Sequence, residues 1–126
     1  MAGKILSVGF LVETLVKRSA ALSHAGFTVI TISNAAKAAR SLRETEYDAM
    51  VLGPAIPEPL RNSLALTAKR RNAHIAVVML YTGSIENAEQ ADAVLNASTA
   101  EQNLAEAIRH VMGLKRRKAE PQLSAG

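Results

Sequence analysis

Five short apolar runs, separated by stretches with helical spacing, constrain this chain more than any other feature. The runs cover residues 4–8, 28–32, 48–52, 75–80 and 93–95. Most are apolar at consecutive residues rather than at alternate ones, as expected of strands covered on both faces. Strands that alternate with helices predict βαβ units, and therefore an α/β domain built on a parallel sheet. At 126 residues the chain is long enough for one such domain with a normal core.

The helical stretches carry their own punctuation. The first places Val12, Leu15, Val16, Ser19 and Leu22 on one face and stops at Gly26. The second opens at a Ser33-Asn34 cap and runs through the alanine-rich residues 35–44. The third begins near Pro57-Glu58-Pro59 and ends in Lys69-Arg70-Arg71. The last opens on Ser98, with Glu101 completing a capping box, buries Leu104, Ala107, Ile108 and Val111, and closes at Gly113. Residues 84–91 have room for only about two further turns. Nothing periodic follows Gly113, so residues 1–114 are expected to form the domain and 115–126 a basic, disordered tail of little consequence for stability.

Composition removes several function classes. There is no cysteine, which excludes disulfides, thiolate zinc sites and thiol catalysis. Aromatic residues make up 3% of the chain and Trp is absent, so there is no stacking platform for bases. The apolar stretch near the N-terminus is too short to span a bilayer and Glu13 ends it; no signal peptide is expected and the cytoplasm is the default location. The net charge of +4 belongs to Lys115-Arg116-Arg117-Lys118, since without that run and Glu120 the chain is within one charge of neutral. That run could touch an acidic partner, nucleic acid or anionic lipid, or simply aid solubility. His24, His74 and His110 assemble no triad or metal cluster, and with no nucleophile–base pair in view no catalytic activity, cofactor or metal is expected.

In an open parallel sheet, ligands and chemistry collect at the carboxyl ends of the strands. Here those ends carry Gly9-Phe10 and Gly53-Pro54, while the only aspartates, Asp48 and Asp92, stand at strand starts. Hard cations take oxygen ligands, so a metal or phosphate site would lack its carboxylates. A lone glycine at a strand-to-helix turn is ordinarily explained by backbone freedom, although Gly9 and Gly53 could also cradle an anion. Tyr81-Thr82-Gly83-Ser84 is the most polar strand end, either a pocket mouth for a small ligand or a turn followed by an Ser84 cap.

Three segments resemble the receiver domain of bacterial two-component response regulators, over residues 3–113. Lys4-Ile5-Leu6-Ser7-Val8 and His24-Ala25-Gly26-Phe27-Thr28-Val29 are similar to that family's first strand and its "AGYEV" entry into the second. Tyr47-Asp48-Ala49-Met50-Val51-Leu52-Gly53-Pro54-Ala55-Ile56-Pro57 is similar to its "PDLVLLDLMLP", and Ala91-Asp92-Ala93-Val94-Leu95-Asn96-Ala97-Ser98 lies where receivers have "ADDYLVKP". The resemblance implies a doubly wound, flavodoxin-like five-stranded parallel sheet of order 2-1-3-4-5 with a shortened fourth helix. It also implies a degenerate site. The Mg²⁺-holding acidic pair matches Gly9-Phe10, the phospho-acceptor aspartate matches Gly53, and the lysine after strand five matches Ala97. The strand-four hydroxyl matches Tyr81 or, with a slip of one, Thr82; Ser98 and Val94 replace the family's proline and aromatic switch.

The expectation is a non-phosphorylatable pseudo-receiver, a cytoplasmic bacterial signalling module acting through protein partners, with a homodimer among the options and nucleic acid not favoured. The family's output surface maps here to Glu101, Ala105, Glu106, Arg109 and Met112, which could equally be a solvated helix face. The alternatives are a small-molecule sensor using the emptied strand-end pocket, and a nucleic-acid-associated protein using the basic tail.

Overall fold

β1 (Lys4–Val8) is hydrogen-bonded on one side to β2 (Thr28–Ile32) and on the other to β3 (Ala49–Leu52). β4 (Ala76–Tyr81) and β5 (Ala93–Asn96) continue the sheet, giving the order β2-β1-β3-β4-β5 with every pairing parallel. This is the doubly wound, flavodoxin-like arrangement that the runs and the resemblance led us to expect. The computed structural model describes residues 3–83 and 88–119, and of Glu101 and residues 117–119 only the backbone.

The central strands β1, β3 and β4 are buried almost throughout, and successive residues feed two separate cores. Leu6, Val8, Met50, Leu52, Val77 and Met79 point to the side closed by α2 (Ala35–Glu44) and α3 (Glu58–Arg71). Ile5, Ala49, Val51, Ala76, Val78 and Leu80 point to the side closed by α1 (Val12–His24) and α4 (Ala100–Ala119). Two-sided burial is why the runs are continuously apolar instead of alternating. Asn34 caps α2 as read from the sequence, accepting the Lys37 N–H at 3.0 Å. Gly26, at φ 102°, ends α1 in the left-handed conformation that glycine adopts without strain.

Three local expectations are corrected. α1 buries Leu15, Arg18 and Leu22, so its inward stripe is turned away from Val12 and Val16, which are 60% and 57% exposed. α4 is preceded by a 3-10 turn at Ala97–Thr99, in which Asn96 Oδ1 accepts both the N–H and the hydroxyl of Ser98; Asn96 caps that turn, and Ser98 is a donor within it. The helix also runs through Gly113 to Ala119, so the basic run at 115–118 is helical backbone and not irregular chain. A glycine inside a helix costs only about 1 kcal/mol, and Lys115 beyond it reaches Asp92 at 2.9 Å. Between β4 and β5, residues 88–91 form turns; the rest of the expected short helix, residues 84–87, and the tail at 120–126 lie outside the described residues.

Candidate functional site

β1 and β3 are neighbours, so the loops that leave them meet at the carboxyl end of the sheet. There Gly9, Phe10, Gly53, Pro54 and Ala55 face Leu11, at the cap of α1, and Thr14 and Arg18 within it. The space left among them is about 10 Å³, the threshold for holding a single water. The emptied pocket expected at this place is filled. Its occupant is Arg18, which is 3% exposed although arginine is almost never fully buried.

Both glycines stand directly against that guanidinium, where a Cβ would be tight. A Cβ at Gly9 would lie 3.3 Å from Arg18 Nη1 and 3.3 Å from Leu15 Cδ1. A Cβ at Gly53 would lie 3.3 Å from Nη1 and 3.4 Å from both Nη2 and the Val8 carbonyl oxygen. Neither glycine has a positive φ; that conformation occurs among the described glycines at Gly26 and Gly83. Backbone freedom, the ordinary reason for such glycines, is therefore not the reason at 9 and 53. The reason is room.

Arg18 was missed in reading the sequence because a charged residue is discounted from an apolar face. Its spacing carried the signal: it stands three after Leu15 and four before Leu22, inside the stripe that α1 buries. The lining residues offer backbone groups, one threonine hydroxyl and a permanent positive charge. A hard divalent cation takes oxygen ligands, carboxylates above all, and this set does not fit one.

The other sequence candidates are dispersed. Tyr81 is half-buried at the end of β4, paired in register with Asn96, Thr82 is exposed, and Ala97 packs against the α1–α4 core; none of them lines the Arg18 recess. On α4, Ala105 and Met112 are half-buried against the same core, and Arg109, though exposed, is held by contacts within the chain. Its Nη2 donates to the Ala25 carbonyl at 2.7 Å, and its guanidinium lies 5.4 Å from the Phe27 ring centroid. Of the face expected to be outward, Glu106 alone is described as an exposed side chain without such a commitment here; the Glu101 side chain lies outside the description.

The aspartates are tied to the opposite end of the sheet. Asp48 Oδ2 accepts the Lys4 N–H at 2.8 Å, and Asp92 Oδ2 accepts the Val77 N–H at 2.8 Å. Each carboxylate satisfies a strand N–H at the amino end of the sheet. Asp92 Oδ1 also meets Lys115 at 2.9 Å and Lys69 at 3.7 Å. Lys115 and Arg116 were read as part of a free tail; both line a recess of about 230 Å³ with Asp48, Asn72, His74 and Met112.

No family model matches the sequence, and no curated protein is similar enough to count as a match. Solved structures do match in fold. A CheY-like response regulator receiver domain from Methanospirillum hungatei JF-1 superposes with a TM-score of 0.79 at 16% identity, over 94% of this chain and 100% of that one. The receiver domain of a sensor histidine kinase from Pseudomonas aeruginosa PAO1, with a magnesium ion coordinated in its active-site cleft, gives 0.76 at 16% identity over 90% and 99%. The response regulator TrrA from Thermotoga maritima, in complex with Mg²⁺-BeF, gives 0.72 at 17% identity over 88% and 99%. The chain thus has the receiver fold.

Proposed function

We propose that this chain is a receiver-like signalling module that does not accept phosphate and works through protein contacts. One observation carries the proposal: the Arg18 guanidinium is packed between Gly9 and Gly53, at the end of the sheet where parallel α/β folds place their chemistry. The Pseudomonas and Thermotoga receivers hold magnesium. Here no carboxylate is among the described residues lining the corresponding end, and the Arg18 side chain takes up the space between the two glycines. The arginine supplies from within the chain the positive charge that a metal would bring, fixed and independent of any donor.

A module of that kind signals by what it touches. Leu11, Val12 and Val16 stand 57–60% exposed beside the closed site, and they offer the apolar element that a protein contact needs. The recess beside Gly9 and Gly53, at about 10 Å³ among the described residues, is far smaller than a ligand pocket of some hundreds of Å³, which favours the protein-contact reading.

The test is intact-protein mass spectrometry after incubation with acetyl phosphate and Mg²⁺. The expected result is no phosphoryl adduct, for the wild type and for Gly53→Asp alike, because the new carboxylate meets Arg18 and not a metal. A magnesium-dependent, acid-labile phosphoryl adduct on the wild type overturns the proposal.

A further inference from the structure

Every helix in this fold runs antiparallel to the strands, so all helix C-termini gather at the amino end of the sheet. The sequence puts acids at the other ends: Glu13 and Glu58 lie in the first turns of α1 and α3. Cations fill the last turns, with Arg43 in α2 and Lys69, Arg70 and Arg71 in α3. Topology therefore gathers cations from α2 and α3 at the amino end of the sheet.

The macrodipole explains a cation at each separate helix terminus. It does not explain their convergence. Arg43 from α2 and Arg70 and Arg71 from α3 line one recess of about 370 Å³ with Thr67, and no carboxylate is among the described residues lining it. The second recess at this end, of about 230 Å³, brings Lys115 and Arg116 from α4 beside His74. The acids near this end are Glu44, Glu46, Asp48 and Asp92; among the described residues none forms an ion pair with Arg43, Arg70 or Arg71, Asp48 being bonded to the Lys4 N–H and Asp92 to Val77 N–H, Lys69 and Lys115.

We propose that the amino end of the sheet binds the phosphate backbone of a nucleic acid duplex, with Arg43, Arg70 and Arg71 as the principal contacts. Guanidinium groups suit phosphate because their planar fork donates in pairs. The chemistry of the surface separates this partner from two others. A membrane-surface helix presents a face of bulky apolar groups beside its cations; here Leu66 of α3 and Leu114 of α4 are 39% and 42% exposed, and neither lines the arginine recess. A protein interface is built around an apolar core, and the larger recess is lined by three arginines and a threonine. The chain has no stacking platform and presents helix C-termini instead of a groove-reading helix, so the contact is to backbone and independent of base sequence.

The experiment is fluorescence anisotropy of a labelled random-sequence DNA duplex with the full chain, between 50 and 200 mM NaCl. With about four phosphates neutralised, affinity falls on the order of 100-fold across that range. Arg43→Gln/Arg70→Gln/Arg71→Gln, on exposed side chains and checked for an unchanged melting temperature, is expected to lower the salt slope by about 2.5. A variant neutralising positions 116–118 is expected to bind with a smaller loss than the triple arginine variant. The proposal is overturned by any of four results: no duplex binding at 50 mM salt, full binding by the triple variant, complete loss on neutralising 116–118 alone, or equal affinity for a poly-glutamate peptide or for anionic vesicles.

Discussion

The two ends of the sheet handle charge in different ways, burying it at one and exposing it at the other. At the carboxyl end a buried arginine occupies the space that two glycines leave, and acids are displaced to the first turns of the helices. At the amino end both aspartates are spent on strand N–H groups, and arginines from different helices stand outside them. The fold is common to both ends, so position along the strand does not decide which end is chemical. What decides it is which residues are buried with their needs met and which are left facing solvent.

The sharpest way to break the comparison is at Arg18. Truncation to Ala in a packed site is expected to cost about 3 kcal/mol, while Arg18→Met, which keeps the volume but not the polar interaction, is expected to recover about half of that loss. Urea denaturation measures both, and an alanine variant as stable as the methionine one would mean that Arg18 fills no space that matters. At the other end, Asp92→Ala leaves the Val77 N–H without its acceptor and removes the counter-ion of two lysines. About 2 kcal/mol should be lost, and Asp92→Asn, which keeps an acceptor oxygen, should recover part of it.

Ending the chain after Gly113 removes Lys115 from Asp92 and shortens α4. The expected cost is about 1 kcal/mol, since the pair is partly exposed. In the Asp92→Ala background that cost should fall by more than half, and an undiminished cost would assign it to helix length instead of the ion pair. The smallest effect on stability belongs to Leu11→Ser/Val16→Ser. The melting curve should move by no more than about 0.5 kcal/mol in equivalent stability, whereas capture of a protein partner should drop relative to wild type.

Much of the architecture was legible in the residues. Continuous apolar runs such as Ala49-Met50-Val51-Leu52 can be covered only on two faces, and that forces helices between parallel strands. The Asn34 cap and the Gly26 stop were equally readable, because both act through the local backbone. The start of α4 was less so: Ser98 has the composition of a cap, yet Asn96 two residues earlier outcompetes it with the same chemistry. Its far end was misread for a different reason. Gly113 is a good stop signal locally, but Lys115 gains Asp92, a residue just before β5 that no local pattern reveals.

The site divides in the same way. Sequence by itself determined that the strand ends hold Gly9 and Gly53, and that Asp48 and Asp92 stand at strand starts, since those are facts of order along the chain. It also determined the receiver-like alternation, because burial on both faces leaves its mark on every residue of a strand. Only the tertiary structure decided that Arg18 fills the space beside the glycines and that cations from α2 and α3 share one recess. Those outcomes depend on the rotation of one helix by a fraction of a turn, and on bringing together residues far apart in the chain. Packing sets both, and no single segment encodes either.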